Sequence, residues 1–224
     1  MHLIIALDFN NESAAFTIVD QLDPSQCALK VGSEMFTLFG APFVRALITR
    51  GFKVFLDLKF HDIPNTVARA CMAAADLGVW MLTIHASGGL KMMQAARDAV
   101  EPCGDKRPLI VAVTVLTSIN EMDLSTLGIQ SSLQAHVCLL ATLANESRLD
   151  GVVCSALDSR EVKRLFGKNF LAITPGIRRL GDAPGDQSRI VTPEFALSAG
   201  SDYLVVGRSI TGSANPLKAF LEFL

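Results

Sequence analysis

Val54-Phe-Leu-Asp-Leu-Lys-Phe-His-Asp-Ile-Pro-Asn-Thr66 begins with an apolar run at residues 54–58 and leads into helix-forming residues 66–77, after which a second apolar run occupies residues 81–84. Strand, helix and strand in that order make a βαβ unit, the building block of parallel sheets. The same unit repeats on both sides. Short apolar runs at residues 3–7, 28–31, 110–115, 151–154, 171–173 and 203–206 bring the candidate strands to eight. Segments of helical periodicity lie between and after them, at 13–22, 35–50, 91–100, 133–146, 158–166, 194–199 and 216–223. Nearly all the runs are apolar on both faces, as parallel strands covered by helices are. Eight such units in 224 residues predict an α/β fold, a closed (β/α)8 TIM barrel, because an open flavodoxin-like sheet would use about five strands. Without a Pro/Gly/Ser-rich linker or charge run to mark a boundary, the expectation is one barrel domain over residues 1–224.

Composition narrows the function classes. With 50% hydrophobic and 19% charged residues the chain is neither disordered nor a disulfide-stapled miniprotein. Lys and Arg number 20 against 22 Asp and Glu, a formal charge of -2, so no broad basic field exists to hold nucleic acid or anionic lipid. Any anion site must be local. Cys27, Cys71, Cys103, Cys138 and Cys154 are scattered and form no CxxC pair, which predicts reduced thiols in a reducing compartment. The stretch from Met1 has no basic lead and reaches Asp8 after five apolar residues, unlike a signal peptide, and no apolar run attains the roughly 18 residues of a membrane span. A soluble, cytoplasmic protein with no membrane partner is expected.

Active sites of such barrels lie at the carboxyl ends of the strands, and those ends are unusually charged here. The first run ends in Asp8, the second carries Lys30, the third ends Asp57-Leu-Lys59 with Asp62 just beyond, and the fourth meets His85. In a regular strand Asp57 and Lys59 share a face. An ion pair buried there gives little net stability, so a functional motive outweighs a structural one. If both Asp57 and Asp62 are close, their charge should outweigh desolvation and keep Lys59 an ammonium, a proton donor; a Schiff-base nucleophile would have to be deprotonated. Lys30 would extend the array to a Lys-Asp-Lys-Asp alternation. His61 and His85 are each expected first as packed or hydrogen-bonded residues. No His, Asp and Glu cluster has metal-ligand spacing, and two lysines would repel a divalent cation, so no metal is expected.

A second feature lies far along the chain. Val205-Val-Gly207-Arg208 is a strand leading into a turn with exposed amides and a guanidinium, and Thr174-Pro-Gly176-Ile-Arg178 ends the preceding strand. Barrels often hold phosphate on the loops after strands seven and eight. A phosphorylated small molecule is implied. Residues 178–186, Arg-Arg-Leu-Gly-Asp-Ala-Pro-Gly-Asp, form a Gly- and Pro-containing excursion suited to a lid over it or to a plain connector.

The string from Phe55 to Thr66 resembles the signature of the orotidine 5'-phosphate decarboxylase family, whose members convert orotidine 5'-monophosphate to UMP and CO2. The likeness extends in family order through Ala6-Leu-Asp8, Leu29-Lys-Val-Gly-Ser-Glu-Met-Phe36, His85-Ala-Ser-Gly-Gly89, Val113-Thr-Val-Leu-Thr-Ser118, Thr174-Pro-Gly-Ile-Arg178, Asp186-Gln187 and Val206-Gly-Arg208, in the style of the compact bacterial members. This resemblance implies a cofactor-free carboxy-lyase of pyrimidine biosynthesis. It implies Lys59 as proton donor to C6, with Lys30, Asp57 and Asp62 completing a charged array. It further implies a homodimer in which Asp62, Ile63 and Thr66 reach the neighbouring subunit's site, Asp8 and Lys30 on ribose hydroxyls, Thr117 and Ser118 on the pyrimidine, and Pro175, Arg178, Gln187, Gly207 and Arg208 around the phosphate, with residues 178–187 as the lid.

Two other readings compete. A Mg²⁺-dependent sugar-phosphate decarboxylase or aldolase-type barrel would share the Asp-x-Lys-x-x-Asp pattern, but would present an acidic metal ligand where Lys30 stands. A non-enzymatic nucleotide-sensing barrel would be expected to have lost part of the charged array, and Lys30, Asp57, Lys59 and Asp62 are all present.

Overall fold

The computed structural model describes residues 2–179 and 189–224. In chain order the elements are β1 (Leu3–Leu7), α1 (Glu12–Val19), β2 (Cys27–Gly32), α2 (Ser33–Thr49), β3 (Val54–Phe60), α3 (Pro64–Leu77), β4 (Met81–His85), α4 (Leu90–Val100), β5 (Leu109–Val113), α5 (Glu121–Thr126), α6 (Leu133–Glu146), β6 (Gly151–Val153), α7 (Ala156–Phe166), β7 (Leu171–Thr174), α8 (Pro193–Ser198), β8 (Tyr203–Val206), α9 (Arg208–Thr211) and α10 (Pro216–Leu221). The strands pair in parallel in sequence order, and β8 returns to β1 through Leu3↔Leu204, Ile4↔Val205 and Ile5↔Val206 to close the barrel. Side chains that alternate along each of the eight parallel strands thus separate two cores. Ile4, Ala6, Ala28, Phe55, Met81, Val111, Ile173 and Val205 fill the barrel, while Leu3, Ile5, Leu7, Leu29, Val31, Leu56, Leu82 and Ile84 face the helices. This division explains why the runs are apolar throughout: each face meets a different hydrophobic layer.

Local chemistry sets the helices. Pro64 pre-forms the first turn of α3, Val67, Cys71 and Ala74 give it a buried stripe, and Gly78 ends it in the left-handed region at φ 88°. In α6 the Ser132 side chain accepts from Ala135 N, and Val137, Leu140, Ala141 and Ala144 turn inward. The periodicity over residues 35–50 corresponds to α2, which bends at Gly40 (φ 60°) ahead of Pro42. Two short helices had no counterpart among the expected segments. In α5 Asn120 and Asp123 form a capping box, a signal present in sequence but too local for a periodicity window, and α9 follows directly from Gly207.

Charged side chains sort by end of the barrel. At the amino ends of the strands the Asp150 carboxylate accepts from Ile110 N at 2.8 Å and pairs with Arg107, and the Asp202 carboxylate accepts from Ala172 N at 2.7 Å and pairs with Lys163. These pairs clasp one strand to the next, the stability role expected of that rim. Among the described residues no helix is long and apolar enough to cross a membrane.

Candidate active site

The carboxyl ends of the strands surround a cavity of about 490 Å³. Asp8, Lys30, Asp57 and Lys59 line one side of it, from β1 to β3. The lining continues with Thr117 and Ser118 beyond β5, then Pro175, Gly176 and Arg178 beyond β7, and Gly207 with Arg208 beyond β8, which closes back on β1. Phe55, Val113, Val153 and Val205 make an apolar floor. A planar group can lie on that floor with an anion at the arginine side.

The charged side is a connected chain. Lys30 Nζ stands 3.3 Å from Asp8 Oδ1 and 3.6 Å from Asp57 Oδ2, and Lys59 Nζ donates to the same Asp57 oxygen at 2.8 Å. Asp57 is 8% exposed and Lys30 9%, so their charges interact with little screening by water. Burial pushes the Asp57 carboxyl up, but Lys30, Lys59 and hydrogen bonds from Lys59 and Thr83 together hold it below the usual carboxylate range. It is an anion at neutral pH. Gly32 leaves room for the arrangement: a Cβ there would come within 3.2 Å of Lys30 Nζ.

Lys59 reaches this position by a route that strand periodicity does not describe. The straight run expected over residues 54–58 continues to Phe60, and its pairing with β4 shifts between Leu56 and Phe60. Lys59 itself adopts φ 52°, in the left-handed region. Thr83 Oγ1 accepts from Lys59 N at 2.8 Å and donates to Asp57 Oδ1 at 3.0 Å. The His85 ring, 5.4 Å from that of His61 between centroids, is held below the ordinary imidazole value by burial first, then by His61 and Lys59 against the pull of Asp57. A neutral His85 adds no third cation beside the lysines.

Ten sequence-expected site residues line the cavity: Asp8, Lys30, Asp57, Lys59, Thr117, Ser118, Pro175, Arg178, Gly207 and Arg208. Asp62, Ile63 and Thr66 do not. Within one chain the alternation therefore runs Asp8, Lys30, Asp57, Lys59, and Asp62 is not part of it, in keeping with the expectation that it serves a neighbouring subunit's site. The bulge and the turn after Phe60 carry Asp62 outward, where its carboxylate accepts from Ile63 N at 2.6 Å, and residues 61–66 are all exposed. Gln187, with most of the expected lid, lies outside the described residues.

Comparison with known proteins places this geometry. The chain matches the family described as orotidine 5'-phosphate decarboxylase / HUMPS over residues 1–223. The chain belongs to this family. It is 56% identical over 222 residues to the orotidine 5'-phosphate decarboxylase of Legionella pneumophila strain Philadelphia 1, covering 99% of this chain and 97% of that protein. To the enzyme of that name from Vibrio vulnificus strain CMCP6 it is 58% identical over 214 residues, 96% of this chain and 92% of the relative. The crystal structure of orotidine 5'-phosphate decarboxylase from Lactobacillus acidophilus superposes with a TM-score of 0.87 at 38% identity, over 99% of this chain and 96% of that one.

Thr83 and Gly32 support the charged array without lining the cavity, and sequence reasoning singled out neither, nor the apolar lining from Phe55, Val113, Val153 and Val205. Thr83 stands in the apolar run Met81-Leu-Thr-Ile84, where a lone threonine carries no signal. Its importance follows only from what β3 does opposite it.

Proposed function

We propose that this chain decarboxylates orotidine 5'-monophosphate to UMP and CO2 without a cofactor. The observation that carries the reading is the Lys59 ammonium, 2.8 Å from a buried Asp57 carboxylate in a cavity that Arg178 and Arg208 also line. The C6–carboxylate bond breaks, its electron pair stays on C6 and CO2 departs. No carbonyl is placed to delocalise that pair, so catalysis requires fixed positive charge and an immediate proton. Lys59 supplies both, transferring a proton to C6 and recovering one from solvent. Held by Asp57, the ammonium is aimed before substrate arrives, which removes the cost of orienting it during the reaction.

The remaining residues take roles by position. Asp8 and Lys30 would bind ribose hydroxyls, Thr117 and Ser118 the pyrimidine edge, and Pro175, Arg178, Gly207 and Arg208 the phosphate; the same phosphate role for Gln187 rests on the family resemblance, since it lies outside the described residues. Binding energy from the phosphate, remote from C6, would order the charged array, so the nucleoside lacking phosphate should lose rate. Asp62, Ile63 and Thr66 act in a partner's site within a homodimer; the support is that all three are exposed, Ile63 by 66%, and none lines the cavity of its own chain. Five free thiols suit a cytoplasmic enzyme.

Consumption of orotidine 5'-monophosphate, followed by absorbance with and without a chelator, tests the reading. Turnover indifferent to the chelator is expected, with Lys59→Ala slower by at least about a thousandfold. Undiminished turnover in Lys59→Ala would overturn the mechanism, and loss of activity to the chelator would favour a metal-dependent sugar-phosphate barrel.

A further inference from the structure

We infer that Thr83 is a positioning residue for the proton donor, its hydroxyl holding both the bulged backbone that carries Lys59 and the carboxylate that orients the Lys59 ammonium. The inference rests on the decarboxylase reading above. Leu56 pairs with Leu82 and Phe60 with Ile84, so three residues of β3, at 57, 58 and 59, stand opposite Thr83 alone. A bulge of this kind takes backbone groups out of the ladder and leaves them needing other partners. The Lys59 N–H finds one in Thr83 Oγ1 at 2.8 Å. Because that N–H must donate, the single hydroxyl hydrogen of Thr83 is directed to Asp57 Oδ1, 3.0 Å away.

This division of labour decides the geometry of the donor. With Oδ1 occupied by Thr83, Asp57 presents Oδ2 to Lys59 Nζ at 2.8 Å and to Lys30 Nζ at 3.6 Å. Thr83 thus ties Lys59 at two points, directly at the backbone and through Asp57 at the ammonium. The backbone point matters because Lys59 sits at φ 52°, a conformation that a residue with a Cβ adopts only when its surroundings enforce it. Thr83 is completely buried, so water cannot take over either hydrogen bond once the hydroxyl is removed.

Thr83→Val keeps the shape and removes the hydroxyl; Thr83→Ser keeps the hydroxyl and removes a methyl. Thr83→Val is expected to lower kcat about a hundredfold, the scale of a misplacement near 1 Å. KM for orotidine 5'-monophosphate should stay within about twofold, and Thr83→Ser should retain kcat within about threefold. The titratable groups facing Asp57 are the ammonium groups of Lys30 from β2 and Lys59 on its own strand and the neutral His85 on β4, with Asp8 beyond β1 reaching Lys30. Losing the Thr83 bond therefore raises the Asp57 carboxyl, and the acid limb of kcat/KM should move to higher pH in Thr83→Val and not in Thr83→Ser. A crystal structure of Thr83→Val gives a readout independent of turnover: Lys59 should leave positive φ or lose its contact with Asp57. Wild-type kcat in Thr83→Val, equal losses in both variants, or an unchanged Lys59 in that structure would overturn the inference. If wild-type protein fails to consume the substrate, the decarboxylase reading falls, and the crystal structure still decides the positioning role.

Discussion

Asp57 concentrates the physics of the site in one side chain. It is buried, it accepts from Thr83 through one oxygen and faces two ammonium groups through the other, and those partners outweigh the burial that alone would neutralise it. A carboxyl held below its unfolded value binds a proton less readily in the folded state, so its contribution to stability is complete above the ordinary carboxylate range. That contribution is lost as pH falls from that range through the depressed value. Urea denaturation across acid pH should show this loss in the wild-type protein and a flatter profile in Asp57→Asn. An identical slope in both would mean that the lysines do not hold the charge. The cysteines behave oppositely: burial pushes Cys27, Cys71 and Cys154 up to about 12, leaving them almost wholly as thiols at neutral pH. A disulfide-exchange reagent should therefore titrate at most Cys103 and Cys138 in native protein and all five thiols in denaturant. Rapid native labelling of a third would contradict the burial.

Among the elements, β6 and β7 leave no room for a side chain where Gly151 pairs with Leu171. A Cβ on Gly151 would stand 2.2 Å from the Leu171 carbonyl oxygen, a backbone atom that cannot turn aside. Gly151→Ala should therefore cost about 3 kcal/mol in denaturant unfolding by forcing the two strands apart; a wild-type midpoint would show that the barrel flexes there freely. Most elements were legible in the sequence, since burial on both faces of a strand and one face of a helix imposes periods that survive without tertiary knowledge. The bounds of β1, β8 and α6 coincide with the expected ones, whereas β3 ran past its expected end. There the apolar pattern gives way to Asp57, Lys59 and His61, and continuation depends on β4 supplying a side chain, which no pattern within β3 records.

For the whole molecule, the arrangement of charge defines what a complete site requires. One chain assembles Asp8, Lys30, Asp57 and Lys59 around its cavity and sends Asp62 and Thr66 to the exterior. If a partner's Asp62 completes each site, Lys59→Ala and Asp62→Ala chains should each be nearly inactive alone. Mixed after dissociation and reassociation, they should recover about a quarter of wild-type turnover, because half the dimers are mixed and each holds one intact site. No recovery on mixing, with mixed dimers demonstrated by mass, would show that the two residues serve the same chain's site.

From its sequence alone this protein is legible as an eight-stranded parallel barrel with a carboxylate-and-lysine array at the third strand and glycine-arginine turns after the seventh and eighth. Those properties are written in periods of two and 3.6 residues and in the residue types at strand ends, all of which are local. Tertiary structure alone decided that Asp8 rather than Asp62 closes the array within the chain, that Lys59 stands on a left-handed bulge, and that Thr83 spans it. Each depends on where one strand lies against the next, and a register between strands is settled by packing and hydrogen bonds across the sheet, which single-strand patterns do not contain.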